Sequence, residues 1–350
     1  MKRELPILWK YLLVAAVSFA LAMVIAQIDA VAQAPAAQPA YASAGAFSVH
    51  ASEAAWRDTV RERDVPVRLY APTASDKTRT ANTRFPVILF SHGLGGNRAA
   101  GKLWSEHWAS HGYVVVSMQH AGSDESLWKD RVPRDLDKNL KSGMTLGNAG
   151  LRVGDVRFVT DEIIRRTAAG EPAFANADPK RLGMSGHSFG AQTTLAVAGQ
   201  KVGNLGGQSG LDTRIVAAVA FSPNARNKIN IARQFGDIRI PLFSITGTED
   251  GSIPGDGARY QDRMLPYENM PPGGKYLAVF DRGDHMVFGG HEMSRQRPET
   301  ARDRDIQAGV KAATLAFWNA TLKQDEFARK WLESGGFNSM LDANDLFASK

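Results

Sequence analysis

Gly186-His187-Ser188-Phe189-Gly190 places one serine hydroxyl between glycines two residues away on either side. A serine oxygen is a weak nucleophile unless a tight turn holds it clear of the backbone and a base takes its proton. The flanking glycines let the turn and its neighbours approach closely. The five-residue pattern alone arises by accident in about one chain in eight of this length, so its setting decides. A strand-like run, Arg181–Ser185, precedes it and a helical run, Ala191–Ala198, follows it. That is the setting of a nucleophile elbow, with Ser188 as the attacking group. Ser185 lacks the glycine spacing and reads as the end of the strand.

Attack on a carbonyl also needs donors for the negative charge that develops on oxygen. Phe90-Ser91-His92-Gly93-Leu94-Gly95-Gly96 is a glycine-rich turn after the apolar run Val87–Phe90. The backbone amides of Leu94 and Phe189 are the expected oxyanion donors, and losing one such donor typically costs about 2.7–4 kcal/mol. A phosphate-binding loop is the competing reading of glycines after a strand. It would require a third glycine where Arg98 stands, and no lysine-serine or lysine-threonine pair follows.

In this architecture the acid and then the base follow the serine, each at a strand end. Gly247-Thr248-Glu249-Asp250 comes after the run Leu242–Thr246, so Asp250 is the expected acid and Glu249 the neighbour that could replace it. Asp281-Arg282-Gly283-Asp284-His285 comes after Tyr276–Phe280, which makes His285 the expected base, with His291 in reserve. His92 and His187 belong to the two turns and are expected to shape them. His50, His107, His111 and His120 carry no partner motif and read as surface or packing residues. No histidine-carboxylate spacing resembles a metal site, so neither a metal nor a cofactor is expected.

These residues need a scaffold that brings strand ends together. Short β-rich runs at Pro66–Tyr70, Val87–Phe90, Tyr113–Met118, Arg181–Ser185, Ile215–Phe221, Leu242–Thr246 and Tyr276–Phe280 alternate with helical stretches at Lys102–Ser110 and Leu151–Arg166. Most of the later runs are nearly continuous in apolar residues, as in a mostly parallel sheet covered on both faces. In Leu151–Arg166 the residues Leu151, Val153, Val156, Val159, Ile163 and Ile164 are expected on one apolar face, with the charges opposite. Ala308–Leu322 and Asp325–Glu333 read as closing helices. Ala121–Asn148, Gly199–Asp212 and Gly251–Gly274 read as loops or lids that shape a pocket. Trp104, Trp108, Trp128 and Phe288 are candidates to line it, although Trp104 and Trp108, at helical spacing, suit a core better.

Lys2, Arg3 and Lys10 lie before and at the edge of an apolar run, Tyr11–Ala26, and Ala30-Val31-Ala32 suits signal cleavage near Gln33, with Ala34 nearly as good. Residues 1–32 are therefore expected to be a signal peptide, and the protein exported to the periplasm or beyond the cell. The rival is a retained anchor, although the run falls short of the roughly 20 residues that span a bilayer. Residues 33–55 read as a flexible leader and residues 56–350 as one hydrolase domain. With 350 residues and 43% hydrophobic content, one large core is within reach. There is no cysteine, which excludes disulfides, thiolate metal sites and a cysteine nucleophile. The net charge of +6 is scattered, so no nucleic-acid partner is expected. Any membrane association is expected through the N-terminal segment alone.

On Val65-Pro66-Val67-Arg68-Leu69-Tyr70, Phe90-Ser91-His92-Gly93-Leu94-Gly95, Gly186-His187-Ser188-Phe189-Gly190 and the Asp250 and His285 loops, the chain resembles the α/β-hydrolase superfamily. Within it, the chain is similar to the platelet-activating-factor acetylhydrolase-like and bacterial dienelactone-hydrolase-like esterases, over roughly residues 56 to 320. The resemblance implies an α/β fold, a cofactor-free serine esterase, a small-molecule or lipid ester as substrate, Ser188, Asp250 and His285 as triad, and Leu94 and Phe189 as oxyanion donors. Dienelactone hydrolases typically use a cysteine nucleophile, which this chain lacks. The same triad acting on amides or polyesters, and a catalytically silent binding module, remain the alternatives.

Overall fold

A strand buried on both faces favours apolar side chains at nearly every position, and Phe85–Ser91 and Val114–Met118 are buried throughout. The computed structural model describes residues 41–73, 83–201, 210–225, 228–251, 259–290 and 298–350. The expected signal segment and His291 lie outside them. The described strands are β1 (Ser48–Asp58), β2 (Arg63–Thr73), β3 (Phe85–Ser91), β4 (Val114–Met118), β5 (Ala177–His187), β6 (Ile215–Phe221), β7 (Leu242–Glu249), β8 (Lys275–Asp284) and β9 (Leu346–Ser349). They form one sheet in the order β1-β2-β4-β3-β5-β6-β7-β8-β9. The six strands from β4 to β8 run parallel, and antiparallel pairs close both edges, β1 and β2 on one side and β9 on the other.

Alternate residues of the same strands feed two different cores. Ile88 and Phe90 of β3 face the same way as Phe221 of β6 and Phe243 of β7, and pack with Trp104 and Trp108 of α1 (Lys102–Ser110). Val87 and Leu89 face the opposite way, against Val156, Val159 and Ile163 of a long helix. α2 is Leu136–Gly143, and that long helix is α3 (Leu146–Ala168); α4 is Phe189–Val197, α5 is Ile231–Phe235 and α6 is Tyr260–Asn269. The last two helices are α7 (Ala301–Leu322) and α8 (Glu326–Glu333). Trp104 and Trp108 are fully buried, and their indole N–H groups donate to the Phe288 carbonyl and to Thr314 Oγ1, each at 3.0 Å. They are core, as their spacing suggested, and Phe288 is buried beside them.

Three expectations are corrected here. The folded unit does not begin near Trp56: β1 pairs with β2 from Ser48 onward, and buried Tyr41 packs edge-on against Trp331 at 4.9 Å. Most β1 side chains are exposed, so the strand is held by its backbone ladder and left no apolar pattern to read. The Gly251–Gly274 stretch contains α6 in spite of Pro266. The proline removes the donor to the Asp262 carbonyl, which receives the Ala225 N–H at 3.5 Å instead. Finally, the inward face of α3 carries Arg152, Asp155, Val156, Val159, Thr160 and Ile163, while Leu151 and Ile164 are exposed. Two charged residues occupy positions assigned to solvent.

His107 on α1 fastens the N-terminal edge, donating from Nε2 to the Tyr41 carbonyl at 2.9 Å. Burial, helped by the positive charge of His111 and Lys311, lowers its pKa from the usual 6.5 to about 3. An unfolded chain therefore takes up a proton that the folded chain refuses, and stability falls as pH drops from 6.5 towards 3. His107→Gln keeps a donor for Tyr41 and removes this titration. Calorimetry is expected to give similar melting temperatures at pH 7 and a shallower decline towards pH 4 in the variant; equal slopes would refute the assignment.

Candidate active site

Strand register brings the chemistry together. On β5, Gly186 pairs with Ser91 of β3 and His187 pairs with Phe221 of β6, so Ser188 leaves the sheet beside the turn that follows β3. On β7, Glu249 pairs with Asp284 of β8, so the next residues, Asp250 and His285, emerge side by side. All of these groups lie at the carboxyl ends of parallel strands, where open α/β sheets bind ligands.

Ser188 has φ 56° and ψ −114°, a left-handed conformation that an L-residue holds only under constraint. The constraint is local crowding. A Cβ on Gly190 would stand 1.9 Å from the Ser91 carbonyl oxygen, and one on Gly186 would stand 2.4 Å from the Gly190 oxygen. Only glycine fits at either place. Gly93 is pressed against the same elbow, its Cβ position 3.5 Å from Ser188 Cβ. Ser188 is partly exposed, whereas Ser91 and Ser185 are buried.

Asp250 and His285 meet directly, with Asp250 Oδ1 accepting from His285 Nδ1–H at 2.7 Å. Glu249 is exposed, so of the two neighbouring carboxylates it is Asp250 that meets His285. Burial works to raise the Asp250 pKa, but the charges of His285 and Arg263 outweigh it, and the carboxyl sits below its usual range. Thr246 Oγ1 donates to Oδ2 at 2.8 Å, and Arg263 Nε lies 2.8 Å from Oδ1. The same guanidinium donates to the carbonyls of Asp250, Ser222 and Gly251 at 2.7, 3.0 and 2.9 Å. His285 Nε2 is buried and has no hydrogen-bond partner. His187 Nε2–H donates to the His285 carbonyl at 2.9 Å and so ties the His285 loop to the turn at Ser188.

The Leu94 turn is held from several sides. Gly93 O accepts from Gly96 N–H at 3.1 Å and from His92 Nδ1–H at 2.5 Å, while His92 Nε2 accepts the His120 N–H at 3.0 Å. Two donors on the Gly93 carbonyl polarise the peptide whose N–H belongs to Leu94, which strengthens it as a donor. Phe189 is the first residue of α4, so its N–H has no acceptor within the helix. Trp128 Nε1 donates to the Gly95 carbonyl at 2.7 Å, and Leu140 of α2 borders Gly95. The 121–148 stretch, expected as loop, thus contains α2 and packs over this turn.

Sequence reading missed a second Ser-His-Asp set. Ser91 Oγ–H donates to His120 Nε2 at 2.9 Å, and His120 Nδ1–H donates to Asp155 Oδ2 at 3.0 Å. His120 is therefore no surface residue. Burial, together with the charge of Arg152, lowers its pKa to about 4, so it is neutral at pH 7. Asp155 is further engaged by Arg61 Nη1 at 2.9 Å and Arg63 Nε at 2.8 Å. All three members are wholly buried, which leaves no approach for a substrate. No sequence signal announced this set, because its members lie 29 and 35 residues apart. Among the described residues no cluster of three His, Asp or Glu side chains has metal-binding geometry.

A mostly parallel sheet covered on both faces, with a serine on a strained turn after β5, gives the chain the architecture of the α/β-hydrolase fold. More particularly, residues 43–140 are similar to the family model of platelet-activating factor acetylhydrolase, isoform II. The matched segment holds the Leu94 turn and ends before Ser188, Asp250 and His285. No curated protein gives a significant match.

Arg263 and Asp250 are both buried, so removing the cation strands a carboxylate. Arg263→Met is expected to cost about 3–5 kcal/mol, and Arg263→Lys less, because it keeps the charge. Urea denaturation measures both, and a midpoint unchanged in Arg263→Met would contradict the clamp.

Proposed function

We propose that the protein hydrolyses carboxylic esters of short to medium acyl chain through an acyl-enzyme on Ser188. The observation that carries this reading is the unpartnered Nε2 of His285, whose other ring nitrogen is committed to Asp250. An imidazole held with Nδ1–H on a carboxylate presents a lone pair at Nε2. That lone pair takes the Ser188 proton as Oγ bonds to the ester carbonyl carbon. The carbonyl electrons move to oxygen, where the Leu94 and Phe189 amides hold the charge. Collapse breaks the bond to the alcohol oxygen, which leaves with the proton from Nε2. Water then attacks the acyl-enzyme with the same proton transfers, releasing the acid and restoring Ser188. The basic start and apolar run of residues 1–32 support an exported enzyme.

The test is hydrolysis of p-nitrophenyl esters from acetate to palmitate by wild type, Ser188→Ala and Ser91→Ala. Ser188→Ala is expected to lose at least about 10⁴-fold in kcat, as loss of a nucleophile does elsewhere. Ser91→Ala is expected to keep its activity and lose about 1–3 kcal/mol of stability, since a buried acceptor loses its donor. A fluorophosphonate should label Ser188 alone. Full activity in Ser188→Ala would sink the proposal; activity that rises towards palmitate would replace the short-acyl reading with a lipase-like one. A serine-dependent enzyme inert on every ester would point to amides, and absence of labelling to a silent module.

A further inference from the structure

Arg152, on the inward face of α3, is fully buried, yet its Nε and Nη1 have no hydrogen-bond partner. Only Nη2 is engaged, donating to the His92 carbonyl and lying 3.2 Å from His92 Nδ1. The guanidinium carbon stands 4.5 Å from the centre of the Phe189 ring, within cation–π range. Burial lowers the Arg152 pKa to about 9, with Asp155 and Asp124 holding it up, so the group is charged at neutral pH. A buried cation with two idle donors is costly and has to be held in place by the surrounding fold. Its position is informative. His92 begins the turn that carries the Leu94 amide, and Phe189 carries the second amide itself. One side chain, from a helix outside both motifs, touches both segments.

We propose that Arg152 is the positioning residue of the oxyanion hole, fixing the His92–Leu94 turn through the His92 carbonyl and the elbow through the Phe189 ring. Its fixed charge adds positive potential where negative charge develops in the transition state. The proposal rests on the reading of Ser188 as nucleophile with the Leu94 and Phe189 amides as donors. A role confined to stability would leave the balance between ground state and transition state untouched; a positioning role would not.

The experiment compares Arg152→Met, Arg152→Lys and Ser188→Ala on p-nitrophenyl acetate, together with inhibition by a trifluoromethyl ketone, which forms a tetrahedral adduct with a serine nucleophile. In Arg152→Met, kcat is expected to fall about 100-fold, the loss typical of one oxyanion donor, with KM little changed and ketone affinity reduced in parallel. Arg152→Lys keeps the charge but cannot reach the His92 carbonyl with a flat fork, so an intermediate loss is expected. Circular dichroism establishes that each variant is folded. If Arg152→Met fails to fold, Arg152→Lys decides: ketone affinity that weakens relative to KM supports the proposal, and a wild-type ratio overturns it. A folded Arg152→Met with wild-type kcat, or with ketone affinity unchanged, also overturns it. Undiminished activity in Ser188→Ala would instead remove the catalytic reading beneath it.

Discussion

The turn after β5 lies in backbone contact with the end of β3, and the site is arranged around that contact. At Gly190 the Ser91 carbonyl occupies the space a side chain would need, and at Gly186 the Gly190 carbonyl does. The elbow cannot relax towards β3, and Ser188 takes the left-handed conformation that lifts it out of the sheet. The same contact sets Gly93 beside Ser188. Close packing of this kind is uncompromising, since protein interiors have little free volume to absorb an added methyl group.

A second physical theme is the burial of charge. Asp250, Asp155, Arg152 and Arg263 are all nearly or wholly inaccessible. For the two carboxylates, compensation is dense: each is met by at least one arginine and one histidine. Ser188, His285 and Asp250 are the same residue types as the hydrogen-bonded Ser91-His120-Asp155 chain, but their surroundings differ. Ser91 closes a regular strand inside the protein, whereas Ser188 sits on a strained turn that reaches solvent. Access and backbone conformation separate the buried hydrogen-bond chain from the solvent-reaching serine.

The central strands were legible in the sequence because parallel strands buried on both faces leave continuous apolar runs; Ile215–Phe221 is an instance, matched end to end. The turn at Ser188, the turn at Leu94 and the strand-end positions of Asp250 and His285 were legible because each is marked by residues close together in sequence. The edge strands were not, since β1 exposes most of its side chains and β9 has only four residues. The first two turns of α7 were hidden behind Arg302, Asp303, Arg304, Asp305 and Gln307, although Thr300 and Asp303 form a capping box there. Arg152 and Asp155 were placed on the wrong side of α3 because charge is normally read as solvent-facing. Their compensation comes from His92, Phe189, His120, Arg61 and Arg63, which lie elsewhere in the chain and which no local window contains.

Arg263 has one further meaning. Its guanidinium holds the carbonyls of Asp250 and Gly251 on one side of the 252–258 segment while its own helix, α6, begins on the other. The two ends of that segment are thus closed on each other independently of what lies between them. Insertions, deletions or wholesale exchange there would be insulated from the Asp250–His285 pair. An evolving lineage or a library designer could vary the sequence there while Arg263 keeps Asp250 and Gly251 where they are.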